Sequence, residues 1–392
     1  MTPAHVIGAG LSGLASAWHL AERGFDVTVF ERTAVPGGLI QTRTTTHGLV
    51  ETAANAFIRD GVVDAWFARL GLQPLTPKRD SRRRYIFRDG APRRWPLRIG
   101  ETADLAWHLG RTAISRRFAA RGDETVADWG RRAVGPAATQ WLLEPAMQGV
   151  YATPAARLSA SVLFNGRKRG RREMIAPARG MGEFAVRLHE ALIARGVRFE
   201  FNHAAASVDP AVSTIIATDA STASGLLAHL APELAHALDR IRIAPLVTVT
   251  QFYEPHQEDV HGFGVLFPEA SGVSALGVLF NADIFDGRSR VRSETWIVGG
   301  RERGLTEESD AALIDHLARD RSALTGRVDA PLASHITRWP RAIPIYDQAI
   351  ADVQRLLPAL PAQVALAGNY LGRIGVAALL SGGADAANRI AL

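Results

Sequence analysis

The sequence predicts an α/β fold, α+β in part, and three observations carry the prediction. A short apolar run at residues 5–7 leads into Gly8-Ala9-Gly10-Leu11-Ser12-Gly13, a helical stretch over 14–23 and a second apolar run at 27–30. Between 246 and 299, β-rich runs dominate, at 246–253, 263–267, 276–280 and 295–298. Near the C-terminus, a short apolar run at 364–367, glycines and a last helix repeat the opening pattern. The first and third patterns read as a Rossmann-type parallel sheet, and the second as a separate, mostly antiparallel sheet.

The glycine turn is a G-x-G-x-x-G sequence inside a βαβ unit. Gly8 permits the tight turn, Gly10 lets backbone approach a pyrophosphate, and Gly13 lets the helix pack close to the strand. Leu11 and Ser12 open the helix, whose free N–H groups and positive dipole end face the phosphates. Glu31 lies 23 residues after Gly8, at the end of the second strand, where a carboxylate binds ribose hydroxyls; Arg32 follows it. A second close approach at Pro36-Gly37-Gly38-Leu39 favours FAD over NAD. With no cysteine and no histidine in an attachment motif, the flavin is expected to be non-covalent.

Further along, residues 62–70 form a helix with Val62, Val63, Trp66, Phe67 and Leu70 on one face. Residues 84–87 and 93–95, separated by Asp89-Gly90, read as a hairpin with seven arginines between 82 and 98. That basic hairpin reads equally as a solvated surface and as a substrate-facing cluster. Residues 101–149 are helical in pattern, and Trp107, Trp129 and Trp141 are expected in the core or between helices. The run 167–172 is strongly basic; it reads as a solvated loop or as a contact for anionic lipid. Gly180-Met181-Gly182 opens a helix over 183–194, and strands at 197–201 and 213–218 bring the chain back to the first sheet. Thr306 is expected to cap a helix running to Leu324.

Composition narrows the function classes. The chain has 392 residues, enough for two or three domains, and no apolar run of 18 residues. The N-terminus enters a strand at once, which leaves no room for a leader peptide, and the expectation is a cytoplasmic protein. Without cysteine, disulfides and thiol catalysis are excluded. The twelve histidines show no metal spacing; the nearest pairs are His229/His236 and His256/His261, so no metal site is expected. Net charge is +6, with lysine only at Lys78 and Lys168 and 43 arginines. The excess favours anionic small molecules or an anionic membrane face. Nucleic acid is not expected, since no helix-turn-helix, zinc or RNA-recognition pattern accompanies the charge. Oligomeric state is left open.

The N-terminal pattern resembles the flavin amine oxidase superfamily. Several further stretches resemble protoporphyrinogen oxidase and its coproporphyrinogen-oxidising relatives: Arg84-Tyr85-Ile86; Glu144-Pro145 with Gly149-Val150-Tyr151; Gly180-Met181-Gly182; Gly262-Phe263-Gly264 with Phe267-Pro268; Phe280-Asn281; Arg338-Trp339 with Pro344-Ile345-Tyr346; and Gly368-Asn369-Tyr370 with Gly375-Val376. They occur in the family's order. The resemblance implies an FAD-binding domain at 1–75, 173–226 and 343–392, a substrate domain at 76–100 and 227–342, and a helical domain at 101–172 that leans on the membrane. It also adds Gly368, Asn369, Gly375 and Val376 to the cofactor site. Three departures stand out. Leu39 replaces the family's arginine, Ala53 replaces a glycine in Thr52-Ala53-Ala54-Asn55, and the segment 202–212 is too short for a family hairpin.

The implied reaction is FAD-dependent oxidation of a porphyrinogen in haem biosynthesis, with oxygen as acceptor and protoporphyrinogen as the favoured substrate. Arg84 is expected to anchor a propionate, and Asn55 to lie between flavin and substrate. An amine or amino-acid oxidase is the alternative on this fold. It lacks the lysine expected on the substrate sheet, since none follows Lys168, and Gly372-Arg373-Ile374-Gly375 offers no aromatic residue. A non-catalytic flavin-binding paralogue is the third reading, motivated by Ala53.

Overall fold

The computed structural model describes residues 2–115, 118–164, 173–257, 259–300, 304–372 and 374–391; the basic run at 167–172 lies outside them. Two main sheets organise the chain. The first has five parallel strands in the spatial order Arg198–Glu200, Asp26–Phe30, Pro3–Ile7, Ser213–Ile216 and Val364–Leu366. Strands far apart in sequence thus complete one sheet, as the repeated strand–glycine–helix pattern implied. Alternation puts Ala4, Val6, Val27 and Val29 on one face, against the helices Leu11–Glu22 and Met181–Ala194. Ile7, Ile216 and Leu366 face the other way, onto Ala220–Leu227, Pro232–Asp239 and Gln348–Leu356. The last helix, Val376–Arg389, lies across the first. A Cβ on Gly383 would come within 2.7 Å of the Ala15 methyl and 2.9 Å of the Ser12 carbonyl oxygen, so glycine sets that approach.

The second sheet has seven strands: Ala333–Pro344, Ile243–Tyr253, Arg292–Gly299, Gly277–Phe280, Gly264–Leu266, Arg84–Arg88 and Ala91–Arg93. All pairs are antiparallel except Gly264–Leu266 on Arg84–Arg88. The hairpin at Asp89-Gly90 forms as expected, with φ of 53° and 72° at the two turn residues. The long edge strand Ala333–Pro344 was not anticipated; charged and proline residues break its alternation. One face of the sheet carries Val247, Val249, Val278 and Trp296 and is covered by the helix Asp310–Thr325. That helix is capped by Ser309, whose hydroxyl accepts from the Ala312 N–H at 3.3 Å; Thr306 does not cap it. Asp310, directly after Ser309, supplies the acidic first turn, and the helix starts three residues later than a cap at Thr306 would set.

The helical part contains Ile99–Ile114, Val126–Ala133 and Glu144–Tyr151. A single π-type turn, Thr139–Leu143, runs into Glu144-Pro145, where proline has no N–H to continue the ladder. Trp107 is not a core residue: it is 69% exposed, with Ile99 at 93% and Ile114 at 88% on the same side of their helix. Trp129 and Trp141 are half-buried. Between Glu200 and Ser213 no strand forms, which leaves a hollow of about 220 Å³ beside His5, Phe30 and His203.

Candidate active site

The carboxyl ends of the five parallel strands share one edge, the place where such sheets bind ligands. Gly8 follows the central strand there with φ +106°, and a Cβ on it would stand 2.7 Å from the Ala217 carbonyl oxygen. A Cβ on Gly13 would overlap the Gly8 carbonyl oxygen. Gly10 is different: its φ is −70°, and an added Cβ would meet nothing within 4 Å. Two of the three glycines are therefore demanded by the turn itself, and the third leaves an open face. The helix beginning at Leu11 and Ser12 has no side-chain cap, so its first N–H groups are free for an anion.

The second glycine turn abuts the first. The Gly37 N–H donates to the Ala9 carbonyl at 2.8 Å, and a Cβ on Gly38 would lie 3.2 Å from the Gly10 Cα. Both glycines have positive φ, 107° and 59°. Leu39, half-buried and uncharged, follows. Glu31 is buried beside the first turn; one carboxylate oxygen accepts from the Ala9 N–H at 2.8 Å, the other from the Thr33 N–H at 2.9 Å and hydroxyl at 2.8 Å. Arg32 is exposed. On the far side, Gly368 and Asn369 follow the strand Val364–Leu366, and the Asn369 carbonyl accepts from the Tyr346 hydroxyl. Gly375 and Val376 begin the last helix, again without a side-chain cap.

Residues 53–56 carry the most informative backbone. Ala53, Ala54, Asn55 and Ala56 are half-buried, and none of their N–H groups has a partner among the described residues. Four successive N–H groups without a protein partner are free to bond to a ligand or to water. Asn55 also borders a cavity of about 10 Å³ with Glu51, Asn281 and Arg288. Behind it, Glu51 and Arg288 form a buried pair at 2.7 Å, with the Thr42 hydroxyl at 2.6 Å and the Met181 N–H at 2.9 Å also donating to Glu51. Burial pushes the Glu51 carboxyl up and the Arg288 guanidinium down, against their mutual attraction. The pair ties the segment before Asn55 to the loop after the short helix Asn281–Ile284.

Arg84 starts the hairpin strand. Its guanidinium lies over the Phe263 ring at 4.4 Å and within 3.8 Å of the Met174 sulfur. No carboxylate partners it among the described residues. Arg84 is exposed at the surface, and the protein atoms packed beside it lower its pKa from the ordinary arginine value. Met174 pairs with Ile58, two residues past the segment 53–56, so Arg84 reaches the strand that follows that segment. The hairpin's other arginines divide. Arg88 is buried in a bidentate pair with Glu101 at 2.7 and 2.9 Å and stacks on Trp141 at 4.2 Å. Arg82, Arg93 and Arg94 are exposed, as Arg84 is. The part played by Arg88 had no signal in the sequence, since Glu101 lies beyond the hairpin.

Together, two helix N-termini, two abutting glycine turns, a buried acid and an unpaired backbone row fit a flavin dinucleotide. The family model for flavin-containing amine oxidoreductase matches residues 11–391. The chain belongs to this family. It is an FAD-dependent oxidoreductase, and the glycine turns and helix N-termini are the groups suited to hold its cofactor. The chain is 25% identical to chloroplastic protoporphyrinogen oxidase of Oryza sativa subsp. japonica, over 98% of this chain and 87% of that one. It is 27% identical to coproporphyrinogen III oxidase of Mycobacterium bovis, over 96% and 95%. Among solved structures, a candidate protoporphyrinogen oxidase from Exiguobacterium sp. 255-15 superposes with a TM-score of 0.83 at 17% identity, covering 99% and 98%. Cyclohexylamine oxidase from Brevibacterium oxydans IH-35A gives 0.74 at 17% identity, with the same coverage. These structural likenesses establish the fold.

Proposed function

We propose that this family member oxidises a porphyrinogen, with protoporphyrinogen preferred and oxygen as acceptor. The observation that carries the reading is Arg84. A guanidinium without a carboxylate partner, stacked on an aromatic ring, is suited to hold a substrate carboxylate in a bidentate pair. Bound FAD would supply the hydride acceptor. The tetrapyrrole nitrogens stabilise the cation left behind, so the protein needs to anchor and orient more than to exchange protons. Arg84 holds a propionate, Phe263 keeps the guanidinium flat against the site, and Asn55 borders the space between cofactor and substrate. One anchored edge suits a substrate with two propionates on one side better than one with four around the ring.

Steady-state oxidation of both porphyrinogens by wild type and Arg84→Ala tests this. The variant should raise KM with little change in kcat, because a contact remote from the reacting carbon serves ground and transition states alike. A charge-assisted pair is worth roughly 1.5–3 kcal/mol, or about one to two orders of magnitude in kcat/KM. An unchanged KM removes Arg84 from the site, and a preference for coproporphyrinogen reverses the substrate assignment.

The proposal extends to a peripheral membrane contact. No helix among the described residues is long and apolar enough to cross a bilayer. Ile99, Trp107 and Ile114 nevertheless form an exposed apolar stripe, with Trp95 exposed just before the helix. Trp107→Ser with Ile114→Ser should weaken co-sedimentation with anionic liposomes; equal sedimentation of variant and wild type counts against the contact.

A further inference from the structure

The Arg338-Trp339 pair has no part in the scheme above. Arg338 is fully engaged elsewhere: its guanidinium donates to the Thr306 carbonyl at 2.9 Å, the Glu308 carbonyl at 2.8 Å and Asp310 at 2.6 Å. Trp339 reaches the opposite way. Its indole N–H donates to the Thr52 carbonyl at 2.8 Å, and the Thr248 hydroxyl donates to the same oxygen at 3.3 Å. The two donors come from neighbouring strands of the substrate sheet. Thr52 is fully buried and is held from its other side too. Its N–H donates to the Gln41 carbonyl at 3.0 Å, and its hydroxyl donates to the Leu39 carbonyl at 2.8 Å, on the chain leaving the second glycine turn.

The Thr52–Ala53 peptide is trans and planar, so its N–H points opposite to its C=O. With the carbonyl fixed on the substrate sheet, the Ala53 N–H must face away from that sheet, and it is the first of the four unpaired donors. We propose that Trp339, assisted by Thr248, is a positioning residue: by holding the Thr52 carbonyl it aims the Ala53 N–H at the bound flavin and so sets how readily that flavin accepts electrons. A fixed donor favours the added negative charge of the reduced ring, and a loosened one favours it less. The inference rests on the FAD assignment, whose own failure would show as wild-type protein without flavin.

The test uses the holoenzyme and Trp339→Phe, which keeps the aromatic packing and removes only the donor. Bound flavin is titrated against a reference dye, its visible spectrum is recorded, and its anaerobic reduction is followed at saturating porphyrinogen. The expected result is full flavin loading, a midpoint potential shifted negative, an altered visible band and reduction slowed about tenfold, the worth of one hydrogen bond. Thr248→Val should give a smaller shift of the same sign, and it provides the reading if Trp339→Phe loads poorly. Full loading with an unchanged potential and spectrum overturns the proposal and leaves Trp339 a packing residue. Loss of flavin from both variants overturns it equally.

Discussion

A methyl group at Gly13 would overlap the Gly8 carbonyl oxygen, whereas one at Gly10 would meet nothing. The two positions therefore separate folding from binding. Gly10→Val should yield a folded protein, normal by circular dichroism, that emerges without FAD because the side chain occupies the phosphate approach. Gly13→Ala should lower the unfolding temperature whether or not FAD is present. Full FAD occupancy in Gly10→Val would remove the first turn from the cofactor site. Both glycines were readable in the sequence, since their spacing states the turn. Arg84 was readable only by resemblance, and the reason it stands out among seven arginines was not readable at all. That reason is Phe263, brought beneath it by a parallel strand pairing, together with Glu101, which occupies Arg88. Contacts between segments so far apart leave no local periodicity to read.

The hairpin and the helix Ile99–Ile114 are locked by Arg88 and Glu101. The Arg88 guanidinium, followed by the Arg98 backbone N–H, holds the Glu101 carboxyl well below the usual range, at about 2. A carboxyl depressed by folding stabilises the fold fully above its ordinary pKa, and that contribution is lost as pH falls from there through about 2. Glu101→Gln should cost roughly 1–2 kcal/mol at neutral pH once solvent screening of the carboxylate is allowed for. In urea unfolding, the wild-type and variant midpoints should converge as pH drops below 4 towards about 2. A gap that persists at the acid end would mean the pair does not titrate as a unit. Elements with strong period or turn chemistry were legible here, notably the hairpin and the first helix. The cap at Ser309 and the exposure of Trp107 were not. Either serine or threonine can cap, and a tryptophan stripe at helical spacing looks the same whether it meets core or surroundings.

At the scale of the whole molecule, the parallel sheet and the seven-stranded sheet meet through the segment 51–52. No cysteine is available for attachment, so acid precipitation should release all flavin into the supernatant; flavin retained on the pellet would contradict a non-covalent site. The division into sheets was legible because strand-rich and strand–glycine–helix stretches alternate along the chain. The connection through Thr52 was not, because a backbone carbonyl carries no sequence signature. The closure of the parallel sheet has a further consequence. Arg23 on the first helix donates to the carbonyls of Ala387 and Ile390, the latter 367 residues away. The Gly8 turn and the Gly375 helix start thus become neighbours only once the two ends have met across everything between them. Such distant pairing makes folding slow, since loop closure must precede the reward of contact. Until then the parallel sheet lacks its outer strand Val364–Leu366, and the first helix lacks the last one across it.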